Sequence, residues 1–166
     1  MDNKKFILIY AILILIIIGI VIYSIVYTIK KENLKNNVNI SIEEFNNKVL
    51  EIGNFKSSKF NDITNYNIYE VFEIKSDDLV KFFGKKAILN TNSELYLLVQ
   101  PKDEKYDEVY LKLEEFGIKY QNEWSNYLEA EYDIVVDRKI GKMNKFIYVI
   151  ISENSNDILK EIGIVK

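Results

Sequence analysis

The sequence predicts an α+β protein in which a single N-terminal transmembrane helix precedes an antiparallel sheet packed against a long helix. Three observations support this prediction: an uncharged apolar run near the N-terminus, strand-like segments between helix-like ones, and a long helical stripe of aromatic residues. Residues 1–29 would hold a short tail and the membrane helix, residues 30–39 a polar linker, and residues 40–166 one folded domain.

The residue types missing from the chain exclude several classes of catalyst. The 166 residues include no histidine and no cysteine, so no imidazole base, thiolate nucleophile, disulfide or Cys/His zinc site is available. The net charge is -3 and Arg138 is the only arginine. This balance argues against a nucleic-acid partner, because such proteins usually present a basic face and read bases with arginine. We expect no cofactor.

The uncharged run from Phe6 to Ile29 predicts an uncleaved anchor whose partner is the lipid bilayer. Its 24 residues would form a helix of about 36 Å, enough to cross a hydrocarbon core of about 30 Å. A cleaved secretory signal is the alternative, but its apolar region would be shorter and would end in a small-x-small site. Two lysines precede the run and three follow it closely, which slightly favours a cytoplasmic C-terminal domain.

The first part of the domain predicts two helices separated by an extended segment. Ser41 and Glu44 form a capping box before a run of apolar positions at helical spacing, and Gly53 would end this helix. Apolar residues over 68–74 indicate a strand or an extended edge. A short helix over 76–84 follows, with Ser76 as its N-cap.

Two strands and the longest helix come next. The turn formers at 90–93 separate strands predicted at Lys86–Asn90 and Glu94–Gln100. A helix over about Asp103–Leu128 carries aromatic residues at spacings of three and four. Packing on the sheet explains this stripe more simply than ligand stacking, and Gly117 would let a strand approach the helix closely.

A hairpin and a short helix complete the predicted domain. Alternating apolar and acidic residues predict a strand over 131–137, and a turn at 141–144 leads into a buried strand over 146–151. The last helix would run from Ser155 to Ile162. With the helices on one face of an antiparallel sheet, these elements form an α+β layer fold.

Three residues are candidates for an interaction role: Arg138, Trp124 and Tyr127. Trp124 and Tyr127 end the aromatic stripe of the long helix. Arg138 falls in phase with the inward residues of the predicted strand, where a cation needs a partner. We expect it to form an ion pair with a carboxylate of the long helix. The alternatives are a strand-end arginine that reaches water, or a contact for an anion at the rim of the sheet.

The acidic residues do not form a catalytic or metal-binding pattern. Adjacent acid pairs lie mostly at predicted helix starts, where capping and solvation explain them. Glu131, Asp133 and Asp137 would share the outer face of one strand and hold a divalent cation only loosely. We therefore predict no catalytic residue and no metal site.

The order of elements in the second half of the chain is similar to that of a known family. The similarity lies in an apolar strand, a Lys-Asp step, a long helix, an acidic strand and a buried strand: Leu95–Val99, Lys102-Asp103, the helix ending near Trp124 and Tyr127, 131–137 and 144–152. Over about Ser76–Ile162 the chain resembles the clostridial and bacillary family called domain of unknown function 4358. The usual lipid-anchor cysteine and the arginine often seen in that family's long helix are missing here.

The resemblance implies a location but no chemistry. Family members are anchored outside the membrane, often as lipoproteins, and no activity is established for them. The resemblance therefore implies an extracytoplasmic domain of a Gram-positive cell, and long domains translocate largely regardless of a small charge bias.

We expect a non-enzymatic binding module of the cell membrane that binds an envelope protein or polymer. The alternatives are a carboxylate-dependent envelope hydrolase, with two acids facing one cleft, or a cytoplasmic-facing regulator of a membrane complex.

Overall fold

The computed structural model describes residues 16–24 and 40–164, which belong to two units divided between Asn37 and Val38. Residues 16–24 are helical and their large apolar side chains are exposed. Within the described ranges, no helix has both the length and the apolar character needed to span a membrane. The predicted anchor Phe6–Ile29 lies outside the described residues apart from 16–24. The predicted linker 30–39 lies outside them as well, so both stay predictions.

A five-stranded antiparallel sheet forms the centre of the second unit, which we call the domain. Its strand order is β1-β2-β3-β5-β4, and we call β3 and β5, the two most buried strands, the central strands. The strands are β1 Phe60–Asp62, β2 Leu79–Ala87, β3 Leu95–Pro101, β4 Lys139–Met143 and β5 Phe146–Ile151. The predicted α+β class with an antiparallel sheet is confirmed.

Helices cover both faces of this sheet, and the expectation that they lie on one face is wrong. The helices are α1 Ile42–Ile52, α2 Asn65–Phe72, α3 Tyr106–Trp124, α4 Glu129–Val136 and α5 Ser155–Glu161. Helices α2, α3 and α4 pack on one side, which we call the long-helix face, and α1 and α5 pack on the other, the terminal-helix face. Every residue of β5 is buried because both of its faces are covered.

Alternate residues of the central strands divide between two apolar cores. Leu97 and Val149 pack with Leu113 of α3 in the core of the long-helix face. Tyr148 packs with Phe45 of α1 in the core of the terminal-helix face. The sheet therefore holds α1 and α3 on opposite sides, and a site next to α3 belongs to the long-helix face.

Helix α1 begins and ends where the sequence predicts. The Ser41 hydroxyl accepts a hydrogen bond from the backbone N–H of Glu44 at 3.1 Å, and the helix ends at Gly53 as predicted. The predicted strand 146–151 is β5. The last helix was predicted from Ser155 to Ile162 and is α5, one residue shorter. The long helix is also shorter than predicted, because Asp103–Lys105 form a 3-10 turn and α3 ends at Trp124.

The segment 68–74, predicted as extended, lies mostly in helix α2. A reciprocal capping box starts this helix: Thr64 Oγ1 accepts from the N–H of Asn67 at 3.4 Å, and Asn67 Oδ1 accepts from the N–H of Thr64 at 3.1 Å. Ile68 and Phe72 then stand one helical turn apart and are both buried. The asparagine at the third helical position accepts the hydrogen bond that glutamate or glutamine usually accepts in a capping box. The sequence pattern therefore did not indicate the start of this helix.

The segment 76–84, predicted as a helix, is a short 3-10 turn over Ser76–Asp78 followed by strand β2. Phe82 packs against the core of the long-helix face and Phe83 against that of the terminal-helix face. Neighbouring phenylalanines suggested a helix, but a sheet covered on both sides accepts apolar residues at successive positions.

The segment 131–137, predicted as a strand, forms most of helix α4. Val135 is fully buried, whereas Val136, which the alternation placed inward, is 47% exposed. Tyr132 and Val135 are three residues apart and share the buried side of the helix. Three apolar residues at a spacing of two are too few to distinguish a strand from one short helix.

Gly117 brings α3 close to β4, as the sequence predicted. A methyl group on Gly117 would lie 2.7 Å from Nε of Arg138 and 2.7 Å from Cδ1 of Ile140. Both distances are shorter than non-bonded heavy atoms normally allow, so any larger residue at this position must displace the side chains of Arg138 and Ile140.

We expect Gly117→Val to lower the free energy of unfolding by about 1–3 kcal/mol, because the added methyl groups overpack the contact between α3 and β4. Denaturant unfolding of the full chain measures this loss. Ile118→Val is the matched control, since Ile118 is exposed on the same helix, and its effect should stay within about 0.5 kcal/mol. Equal stability of the two variants would contradict the close approach.

Candidate functional site

Aromatic rings form a continuous chain along the long-helix face. The ring centroids are 4.5 Å apart for Phe72 and Phe116, 5.2 Å for Phe116 and Tyr120, 6.0 Å for Tyr120 and Trp124, and 5.4 Å for Trp124 and Tyr127. We call these five residues the aromatic chain. It begins in the core and ends at the surface, since Trp124 is 8% exposed and Tyr127 is 58% exposed.

A cleft of about 280 Å³ lies at the outer end of the aromatic chain. It is bounded by α2, by the hairpin of β2 and β3, and by the end of α3 with the turn that follows. Its lining combines apolar, aromatic, amide and charged side chains: Val71, Phe72, Lys86, Ala87, Leu89, Asn90, Asn92, Glu94, Leu95, Tyr120, Glu123, Trp124 and Tyr127. Concave sites of this mixed character are where proteins usually bind small ligands.

Hydrogen bonds hold the turn between β2 and β3, which forms one wall of the cleft. Ser93 is completely buried in this turn. Its backbone N–H and its hydroxyl both donate to Oε2 of Glu131, each at 2.7 Å. The hydroxyl of Tyr120 donates to the carbonyl of Ser93 at 3.0 Å. The turn is therefore attached to α4 and to α3, and the wall of the cleft is positioned before any ligand arrives.

The carboxylate of Glu94 is held in the same way. Its Oε1 accepts from the hydroxyl of Ser152 at 3.0 Å and its Oε2 from Nδ2 of Asn92 at 3.5 Å. The backbone N–H of Glu94 donates to Oδ1 of Asn92 at 2.8 Å. The second carboxylate of the cleft, that of Glu123, is exposed on α3. One wall of the cleft thus carries a fixed acidic group.

Burial raises the pKa of Tyr120 to about 12. The folded state therefore keeps its phenol proton at a pH where the unfolded chain, with a tyrosine pKa near 10, has begun to lose it. The unfolded state then binds fewer protons than the folded state. The contribution of Tyr120 to stability is therefore fully present below about pH 10 and is lost as the pH rises towards 12.

We expect Tyr120→Phe to make this alkaline loss of stability smaller by about 2–3 kcal/mol, because one raised pKa is removed. At neutral pH the variant should be about 0.5–1.5 kcal/mol less stable, since the hydrogen bond to Ser93 is lost. Unfolding curves recorded from neutral pH to pH 12 measure both effects. Tyr66→Phe changes an exposed tyrosine and should leave the neutral-pH stability unchanged. An identical alkaline slope in Tyr120→Phe and the parent chain would refute the assignment.

Arg138 lies apart from the cleft, and its predicted ion pair is wrong. Its Nη1 donates to Oε1 of Gln121 on α3 at 2.7 Å and to the carbonyl of Val135 at 3.2 Å. The partner on the long helix is therefore an amide. Arg138 follows the end of α4, so it stands at a junction of two elements and not within a strand. With Glu114 it lines a separate shallow depression of about 330 Å³.

The acidic residues considered as loose metal ligands do not share a strand face. Glu131 and Asp133 belong to α4, and Asp137 forms an ion pair with Lys139 at 2.6 Å. Glu131 accepts the two hydrogen bonds from Ser93. Within residues 16–24 and 40–164, no three acidic side chains come together in a way that could hold a metal ion.

Several of the adjacent acid pairs serve as surface partners of lysines. Glu43 pairs with Lys81, and this lysine lowers the pKa of the Glu43 carboxyl. Asp107 pairs with Lys142 at 2.8 Å on the first turn of α3. These pairs are exposed and lie outside the cleft.

The sequence indicates part of this site. It singled out Trp124 and Tyr127, which the structure brings together in the cleft, and Arg138, which the structure places elsewhere. It missed Glu94 and Glu123. The aromatic spacing along α3 is a local signal. The hairpin of β2 and β3 reaches the end of α3 only through tertiary contacts, and no local sequence pattern predicts those contacts.

The chain matches the model of one protein family. A model of the family described as Domain of unknown function (DUF4358) matches residues 53–152, more than half of the chain. The matched segment contains all five strands, helices α2 to α4 and every residue that lines the cleft. It begins after α1 and ends before α5. No curated protein and no solved structure matches the chain. The suspected resemblance is confirmed, and the chain belongs to the DUF4358 family, a domain of unknown function.

Proposed function

We propose that the chain is a membrane-anchored binding module of a Gram-positive cell envelope, and that the cleft on the long-helix face is its binding site. One observation carries the proposal: an open cleft joins the exposed ring of Tyr127 to a wall of polar groups that internal hydrogen bonds already hold in place. A site whose groups are positioned in advance loses little conformational entropy when it binds.

The anchor and the location are supported by the sequence. The run from Phe6 to Ile29 has the length and the apolar character of a membrane helix. The resemblance to anchored family members favours an extracytoplasmic domain. The expected partner is an envelope protein or polymer, and nucleic acid is disfavoured by the acidic balance of the chain.

Binding is favoured over catalysis by the state of the polar groups. The chain has no histidine and no cysteine, and the Glu94 carboxylate already accepts hydrogen bonds on both oxygens. A carboxylate hydrolase is the second candidate, because Glu94 and Glu123 both line the cleft. Hydrolysis of an envelope polymer by the parent chain, abolished in both Glu94→Gln and Glu123→Gln, would replace the binding proposal with this one.

Site-specific crosslinking in living cells tests the binding proposal. A photoreactive amino acid is placed at position 127 in the full chain and, as the matched control, at position 69. Tyr69 is an exposed tyrosine of α2 that does not line the cleft. We expect one envelope component, identified by mass spectrometry in independent preparations, to crosslink at position 127 and not at position 69. Equal crosslinking at the two positions would refute the cleft as the site.

Protease treatment of intact cells tests the orientation. An extracytoplasmic domain is degraded in intact cells, and a cytoplasmic-facing domain is degraded only after lysis. A domain that survives on intact cells would favour the cytoplasmic-facing regulator over the envelope module.

A further inference from the structure

We propose that the cleft binds a sugar ring of a neutral, hydroxyl-rich glycan, with Tyr127 as the stacking surface and the β2–β3 turn as the hydrogen-bonding wall. This inference rests on the proposed binding function and names the ligand class for the same site. It follows from the two kinds of surface, aromatic and polar, that line the cleft.

The aromatic side suits the apolar face of a sugar. The ring of Tyr127 is 58% exposed, and its plane makes an angle of 75° with the ring of Trp124. Trp124 is itself almost buried and contacts Tyr120, so the support for Tyr127 is rigid. The face of an aromatic ring carries partial negative charge, and the C–H bonds on one side of a pyranose carry partial positive charge, so the two attract when they stack.

The polar part of the lining suits the hydroxyl groups of the same sugar. Asn90 and Asn92 offer amides that both donate and accept hydrogen bonds, and Glu94 offers a carboxylate that accepts. The bonds from Asn92 and Ser152 fix the orientation of the Glu94 carboxylate, and each of its oxygens keeps further acceptor capacity. A ligand with a ring of hydroxyls can satisfy these groups along one edge while its apolar face lies on Tyr127.

The charge of the cleft argues against the main alternatives. Glu94 and Glu123 supply two carboxylates against the single ammonium of Lys86, so a nucleotide or a phosphorylated ligand would meet net repulsion. A lipid chain or an apolar peptide segment would displace water from the amides and the Glu94 carboxylate and offer no hydrogen bonds to their remaining donors and acceptors, and this desolvation is costly. A neutral sugar meets neither penalty.

The fluorescence of Trp124 gives a direct test, because it is the only tryptophan in the chain and it lines the cleft. The full chain in lipid nanodiscs is titrated with tri-N-acetylchitotriose and, separately, with maltotriose and cellotriose. We expect at least one trisaccharide to change the tryptophan emission saturably. Tyr127→Ala should weaken that binding about tenfold, since the stacking surface is removed. Tyr69→Ala, a matched change outside the cleft, should bind as the parent chain does.

Two results would overturn the glycan assignment. One is the lack of a saturable change with all three sugars in a chain that circular dichroism shows to be folded. The other is unchanged affinity in Tyr127→Ala. Failure of this inference is distinguishable from failure of the proposed function: crosslinking of a protein at position 127 without sugar binding keeps the binding module and rejects the glycan. Crosslinking that does not depend on position, together with no sugar binding, rejects both.

Discussion

Replacing Phe45 with alanine is expected to destabilise the domain by about 3–5 kcal/mol, the usual cost of removing a buried phenylalanine ring. Phe45 is completely buried on α1. Its ring lies 5.5 Å from that of Phe146 and 5.6 Å from that of Tyr148, both on the central strand β5. The substitution removes both aromatic contacts and leaves a cavity between α1 and the sheet. A typical domain is stable by only about 5–15 kcal/mol, so this loss would leave it close to unfolding.

Denaturant unfolding of the full chain measures this effect. Asn47→Ala is the matched control, because Asn47 is exposed on the same helix, and its effect should stay within about 0.5 kcal/mol. A loss below about 1 kcal/mol in Phe45→Ala would mean that α1 does not close the terminal-helix face.

Replacing Glu131 with alanine is expected to cost about 1–3 kcal/mol of stability and also to weaken the binding of a ligand in the cleft. Ser93 is completely buried, and its N–H loses its acceptor, whereas its hydroxyl keeps the longer bond to the backbone carbonyl of Glu131 at 3.3 Å. Each donor left unpaired in the interior costs about 1–3 kcal/mol. Because Glu131 ties the β2–β3 turn to α4, the turn then loses its shortest bonds to α4 and keeps the bond from Tyr120 on α3, so the polar wall of the cleft is positioned less firmly.

Thermal and denaturant unfolding of Glu131→Ala test the first part, and the trisaccharide titration tests the second. Glu129→Ala is the control on the same helix, since Glu129 is exposed. In a double-mutant cycle, the loss in Glu131→Ala combined with Ser93→Ala should be smaller than the sum of the two single losses. Additive losses would contradict the hydrogen bond as the source of the effect.

The elements that the sequence predicted correctly are those whose signal is local. Helix α1 has its capping serine, its apolar spacing and its terminal glycine within a dozen residues. Strand β5 is an unbroken apolar run, which a strand covered on both faces requires. Helix α3 was predicted because its aromatic spacing persists over about five turns, although the aromatic stripe continues past the last residue of the helix.

The elements that were predicted wrongly are those where two periods fit equally well. In α4, three apolar residues at a spacing of two matched a strand, while the fully buried Val135 belonged to the helical period. In β2, Phe82 and Phe83 suggested one helix face but pack in different cores. Tertiary packing decided both cases, and a window of seven or eight residues does not contain that information.

In the candidate site too, the residues with a local sequence signal could be predicted and those that depend on tertiary contacts could not. Trp124 and Tyr127 could be predicted because they continue the stripe of α3. The partner of Arg138 was expected on the long helix and is there, but it is the Gln121 amide and not a carboxylate. The polar wall depends on Ser93 and Glu131, which are 38 residues apart in the chain. Only the folded structure brings them together.

The two helices that the family match leaves out, α1 and α5, cover the face of the sheet opposite the cleft and are joined by the ion pair of Lys48 and Glu161 at 3.0 Å. That pair is exposed and contributes little, so the attachment of α1 to the sheet rests mainly on Phe45 and its apolar neighbours. A pulling force that enters the domain through its N-terminal end acts first on α1. It would peel this helix from the sheet while the strands beneath the cleft still carried no load. Loosening of α1 and occupancy of the cleft thus concern opposite faces of the sheet.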